Sequence, residues 1–190
     1  MKRDLGRILT WVWLGLVITV LALWITEPSH FSQAAIARAI SDWGMWAFAG
    51  FALISLVRGA LLVPSTPVIL AGGALFPRAL PFVFLVSMAG IVFSATLLYR
   101  FPGFAGYDAR LAAKYPAQLE RLRGHLVKPR AMWFVALWSF LPVTPTDLIC
   151  YVAGLVRMPY PRMLLGLVIG ETPLVLAYVF LGTGLGALLP

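Results

Sequence analysis

Charge is scarce in this chain of 190 residues: Asp, Glu, Lys and Arg together make up 12% of it, about half the share of a soluble domain. The single cysteine, Cys150, excludes an intrachain disulfide, and two histidines cannot assemble a common zinc site. His30 and His125 fall in loops, and no Ser/His pair, carboxylate dyad or metal cluster sits within an apolar run. Nothing therefore points to an enzyme, a metal or another cofactor. What fills the space is apolar: 61% of the residues, with a mean hydropathy of +0.91. No water-soluble core of this size needs that much, so the solvent for much of the chain is lipid. Fifteen Lys and Arg face seven Asp and Glu, a net charge of +8. The excess lies between apolar runs, where loops meet anionic headgroups. A nucleic-acid binder would carry it on a solvated face, so membrane lipids are the expected partner and nucleic acid is not.

The first apolar run, residues 11–26, follows Lys2, Arg3 and Arg7 and ends in Glu27-Pro28-Ser29-His30 rather than in a small-residue cleavage site. It reads as a retained helix with a cytoplasmic N-terminus, so that residues 1–30 form a tail and one span. Residues 31–190 then make a second, membrane domain. Phe31, Ala35, Ile36, Ala39, Ile40 and Trp43 recur at helical spacing opposite Gln33, Arg38 and Asp42, a pattern for a helix lying in the interface. Apolar stretches follow at 45–76, 81–99 and 131–180, separated by a basic segment, 100–130, with seven positive residues and two negative ones, Asp108 and Glu120. The charge bias assigns this segment to the cytoplasmic side. Its apolar residues recur three or four apart, and Pro116 suits a first helical position, which predicts two amphipathic surface helices. Tryptophans 11, 13, 24, 43, 46, 133 and 138 mostly fall near span ends and read as interface anchors.

The most informative feature is internal. Pro64-Ser65-Thr66-Pro67 and Pro142-Val143-Thr144-Pro145 share the pattern Pro-x-Thr-Pro, each in the middle of an apolar stretch. Each precedes a small-residue step (Ala71-Gly72-Gly73, Ala153-Gly154), a closing proline (Pro77, Pro159) and a full apolar span. Residues 131–141 make only about 16 Å of helix, while the hydrocarbon core is about 30 Å thick. The prolines remove backbone donors at the break, which must be satisfied by protein or trapped water. A re-entrant helical hairpin fits residues 131–157 and returns Arg157 and Arg162 to the basic segment's side. Residues 45–77 form the corresponding first hairpin, entering from the other face. Spans 81–99 and 161–184 complete an all-α inverted repeat of two opposed hairpins, each followed by a transmembrane helix. A bundle of proline-kinked spans is the alternative; charge distribution and arm lengths favour the repeat.

Arg58, Asp147 and Glu171 are the ionisable residues within or beside apolar runs, where each costs at least about 2.5 kcal/mol at a helix centre and so has a task or a partner. Glu171 lies nine residues past Arg162, about 13 Å along a helix. It is a candidate proton carrier, or a partner holding helices together. Thr144-Pro145-Thr146-Asp147 reads as a capping box, which alone accounts for Asp147. The half-helix it starts presents N–H groups and a partial positive charge, a cradle for an anion, and Thr66-Pro67 starts a second. With Arg58 nearby, phosphate is the best-fitting anion; Arg58 snorkelling to the interface is the rival reading. Gly72, Gly73, Gly154, Gly166, Gly170, Gly182 and Gly184 read chiefly as close-packing contacts.

These residues also carry a resemblance. Residues 58–76 (RGALLVPSTPVILAGGALF) resemble the first hairpin of VTT-domain proteins, the DedA superfamily. Residues 140–154 (FLPVTPTDLICYVAG) and the later Gly170-Glu171-Thr172-Pro173 resemble its second hairpin and closing helix. The match runs from about Trp43 to Gly184. It departs at Ser139, where many relatives have arginine, at Pro77, where glycine is usual, and in the lack of acidic residues in the first hairpin. The resemblance implies two opposed re-entrant hairpins and movement of phospholipid or polyprenyl phosphate between leaflets, as a flippase or scramblase. Carried onto this chain, the substrate-binding set is Arg58, Pro64, Thr66, Pro67, Gly72, Gly73, Pro142, Thr144, Pro145, Tyr151 and Gly154. Glu171 and Asp147 are left for proton or charge coupling. The expected location is a bacterial inner membrane, and a homo-oligomer is left open. A proton-coupled carrier of small anions and a non-transporting scaffold are the competing classes.

Overall fold

The computed structural model describes the backbone of residues 2–61, 63–126 and 128–186, and the side chains of 11–12, 15–20, 22–59, 61, 63–107, 109–126 and 128–184. Lys2, Arg3, Arg7, Trp13 and Asp108, which enter the sidedness and anchoring arguments, have side chains outside the described residues.

Among the described residues all regular structure is helical. In chain order the helices are α1 (Lys2–Thr26), α2 (Gln33–Ser41), α3 (Ala47–Val57), α4 (Ser65–Leu75), α5 (Leu80–Phe104), α6 (Tyr107–Lys114), α7 (Pro116–Leu126), α8 (Ala131–Phe140), α9 (Thr146–Leu155) and α10 (Tyr160–Gly186). Three short 3-10 turns intervene, at Pro28–Phe31, Gly44–Trp46 and Arg58–Leu61. Only α5 and α10 are long and apolar enough to cross a membrane over the searched residues, 25 residues each. At helical rise that is about 37 Å, more than the hydrocarbon core requires. α5 runs five residues past the expected end at 99 and carries Pro102 in its last turn, where the lost i−4 bond unravels little.

α2 starts where Ser32 accepts a hydrogen bond from the Ala35 N–H at 3.2 Å. Its buried face differs from the periodicity reading. Ala37 and Ile40 are buried, Ala39 and Trp43 are exposed, and the Gln33 amide nitrogen is buried. The reason is that α2 packs on α4, so protein rather than an interface alone selects the face. Downstream, Pro116 opens α7, the position its missing N–H suits.

The chain divides into two compact units, Gly15–Ser94 with Thr172–Pro190, and Met1–Leu14 with Ala95–Glu171. In the first unit α3 and α4 fold back on one another: a β-carbon on Gly72 would lie 2.5 Å from the Phe51 ring, and Phe48 stacks edge-on against Phe76 at 5.2 Å. An unbroken helix would hold Phe51 and Gly72 about 30 Å apart. α3 runs alongside α5 in the same direction, Ser55 meeting Gly90 and Gly59 meeting Ser94, while α4 crosses α10 where Gly73 meets Val179 and Gly182. The second unit repeats this plan. α8 and α9 are in contact, α8 runs in the direction of α10 with Val135 against Gly166 and Ser139 against Gly170, and α9 crosses α5 at Gly154 and Tyr99. In each unit, then, the first arm runs parallel to one long helix and the second arm packs against the other. Glycines at the crossings let backbones approach as closely as helices in lipid require.

That packing predicts a contrast. A β-carbon on Gly154 would stand 2.0 Å from the Tyr99 carbonyl oxygen, whereas one on Gly124 meets nothing within 4 Å. Gly154→Ala should destabilise the detergent-solubilised protein by about 1–3 kcal/mol, and Gly124→Ala should stabilise it by up to about 1 kcal/mol. Thermal melts of the two variants read both signs.

Candidate functional site

The two Pro-x-Thr-Pro stretches fall at the helix breaks, and the first task of the side chains there is to satisfy backbone. In the first unit Arg58 sits in the 3-10 turn that prolongs α3. It is 6% exposed, and its Nη1 donates to the Val63 carbonyl at 3.4 Å. This buried guanidinium does not snorkel; it points at the break. In the second unit Thr144 takes the equivalent duty with different chemistry. Its hydroxyl donates to the Trp138 carbonyl and to the Leu141 carbonyl, the latter at 3.0 Å, and the Trp138 indole N–H donates to the Pro145 carbonyl at 3.2 Å. Trp138 therefore closes the turn of a hairpin instead of anchoring an interface, unlike the exposed Trp11, Trp24, Trp43, Trp46 and Trp133.

The capping box expected at Thr144 is not formed. α9 begins at Thr146 with Pro145 as its N-cap and no side-chain cap bond, because the Thr144 hydroxyl is taken by the end of α8. Thr66 is likewise no cap: α4 starts at Ser65, with Pro64 in the capping position. Both capping prolines have extended backbone (ψ 141° and 108°) and no side-chain acceptor, so neither can cap the first turn that follows. Pro67 removes one more donor. The first-turn N–H donors are then Ser65 and Thr66 in α4, and Thr146 and Asp147 with Leu148 turned back to the Pro145 carbonyl in α9.

Glu171, 4% exposed, lies on α10 and accepts a hydrogen bond on Oε1 from the Thr146 hydroxyl at 2.7 Å. The residue it meets is the first of α9, so the second unit joins its buried carboxyl group to the start of its second arm. Asp147 follows in the same turn and is half-buried. Arg58 and Glu171 are the only buried Lys, Arg, Asp or Glu side chains among the described residues, one in each unit. Tyr151 is half-buried with its ring 6.4 Å from that of Phe101. Pro64, Pro142 and Pro145 are exposed, while Thr66, Pro67 and Thr144 are half-buried. Gly72, Gly73 and Gly154 have neighbouring helices packed where a side chain would go. Among the described residues no three His, Cys, Asp or Glu side chains group as a metal site.

Sequence reasoning missed Thr146 as the partner of Glu171, since nothing marks a contact across 25 positions. It also missed the buried Ser55, Ser87 and Ser139, whose hydroxyls have no hydrogen-bond partner; a hydroxyl in an apolar run is the signal that could have found them. Thr146→Val removes the hydroxyl donor to the Glu171 carboxyl group at constant shape, and should cost about 1–3 kcal/mol. Glu171→Gln keeps an acceptor oxygen and should melt close to the parent. Equal melts for Thr146→Val and parent would mean the bond carries no weight.

Comparison with known families shows that the model of the VTT domain matches residues 63–184. That stretch holds α4 through most of α10, including both Pro-x-Thr-Pro stretches from Pro64 onward and Glu171. No curated protein and no solved structure matches the chain. With two helices able to cross a bilayer, the match makes the chain an integral membrane protein.

Proposed function

Because this chain belongs to the VTT-domain family, the DedA and SNARE-associated Golgi protein group, we propose that it is a membrane transporter moving phospholipid or polyprenyl phosphate between leaflets. The observation that carries this reading is a buried ionisable residue tied to each helix break: Arg58 to the Val63 carbonyl, and Glu171 to the first residue of α9. A bundle held together by lipid-facing packing alone has no use for either, since both cost energy to bury. In this reading α3–α4 and α8–α9 are re-entrant hairpins dipping from opposite faces, the inverted-repeat plan in which broken helices build the transport path. Arg58 and the first-turn N–H groups of α4 in one unit, and separately those of α9 in the other, offer places for a lipid phosphate; within the second unit the Glu171 carboxyl group takes up or gives back a proton, with Asp147 balancing charge. The N-terminus and residues 100–130 face the cytoplasm of a bacterial inner membrane, as the distribution of basic residues favours.

Purified protein in liposomes tests this. It should move a labelled phospholipid or polyprenyl phosphate faster than empty vesicles. Glu171→Gln, which preserves the acceptor for Thr146, should slow transfer at least about tenfold, or 1.4 kcal/mol on the barrier. Uptake of a soluble anion without lipid movement would replace this reading with that of an anion carrier, and no transport of either would overturn both.

A further inference from the structure

The segment joining the two long helices has structure of its own. α6 follows α5 after two residues and α8 follows α7 after four, so the pair is tethered between helices that belong to the membrane. Residues 107–130 hold six basic side chains against two acidic ones. Arg110, Lys114, Arg121, Lys128 and Arg130 are exposed, and Tyr115 and Leu122 among them are exposed as well, by 42% and 47%. Apolar groups beside cations are the pattern of helices that lie in a headgroup layer.

The opposite side of α7 is fastened. Leu119 is 2% exposed, and the Arg123 Nε donates to the Val156 carbonyl at 3.3 Å. Val156 caps α9, the second arm of the α8–α9 hairpin. The chain closes there with two reverse bonds, Met158 N–H to the Ala153 carbonyl at 2.8 Å and Arg157 N–H to the Gly154 carbonyl at 3.1 Å. This closing motif ordinarily places glycine where Arg157 stands. Arg157 has φ 57°, the one positive φ outside glycine among the described residues. A further cation is thus retained at the foot of α9 at a conformational disadvantage.

We propose that α6–α7 docks on an anionic lipid surface and, through Arg123 and the Val156 carbonyl, transmits that docking to the foot of the α8–α9 hairpin. The lipid composition of one leaflet would then set how firmly the hairpin is held. A bilayer is favoured over an acidic protein partner because the segment is tethered between membrane helices and mixes apolar groups with its cations. The inference rests on the chain being a membrane protein and not on what it transports.

Hydrogen exchange of the full-length protein in nanodiscs tests it without a transport readout. Discs of phosphatidylcholine are compared with discs containing about one-third phosphatidylglycerol. Anionic discs should slow exchange in both residues 107–126 and residues 153–158 by about fivefold or more, the increment from one basic side chain at an anionic surface. The difference should vanish at 1 M salt, where the screening length falls to about 3 Å. Lys114→Glu with Arg121→Glu should abolish both effects, while Arg123→Gln should keep the first and lose the second. Equal exchange in the two discs overturns the docking. Slowing that survives 1 M salt overturns its electrostatic basis, and slowing confined to residues 107–126 overturns the coupling. The lipid and salt arms use the unmodified chain, so they decide the matter even if a variant does not insert.

Discussion

A helix that stops leaves carbonyl and N–H groups that must find partners, and both helix breaks are organised around that requirement. Both breaks fall at a Pro-x-Thr-Pro stretch, and prolines reduce the number of donors to be satisfied. The remaining acceptors are met by side chains: Arg58 reaches the Val63 carbonyl in one hairpin, and Thr144 and Trp138 serve the carbonyls of Trp138, Leu141 and Pro145 in the other. One requirement is met with a guanidinium in one hairpin and with neutral donors in the other. The guanidinium also brings a full positive charge to the first break.

In the second hairpin Thr146, the first residue of α9, donates to Glu171. A movement of α9 relative to α10 within this unit would change the environment of the buried carboxyl group, and a change in its protonation would alter the hold on α9. Gly166 against the Met132 carbonyl and Gly170 against the Ala136 carbonyl leave α8 and α10 packed backbone to backbone.

Much of this was legible in the sequence because it follows from properties that do not depend on partners far along the chain. Arm lengths, the repeated Pro-x-Thr-Pro order and the cationic segment between spans all follow from local composition, and so does Pro116 at a helix start. The two helices able to cross a bilayer were legible for the same reason. What was not legible depended on competition between sites. Thr144 reads as an N-cap until the end of α8 is seen to claim its hydroxyl, and Ala39 reads as buried until α2 is seen to pack on α4. The pairing of Thr146 with Glu171 and the grip of Arg123 on Val156 bring together residues 25 and 33 positions apart, which no periodicity announces.

The central claim is that the α8–α9 hairpin turns back within the bilayer and emerges where it entered. With Cys150 replaced by serine, Arg130→Cys and Arg157→Cys place single thiols at the two feet of the hairpin. An impermeant maleimide applied to sealed vesicles of known sidedness should label both positions from the same side. Labelling from opposite sides would make α8–α9 one kinked span and contradict the account.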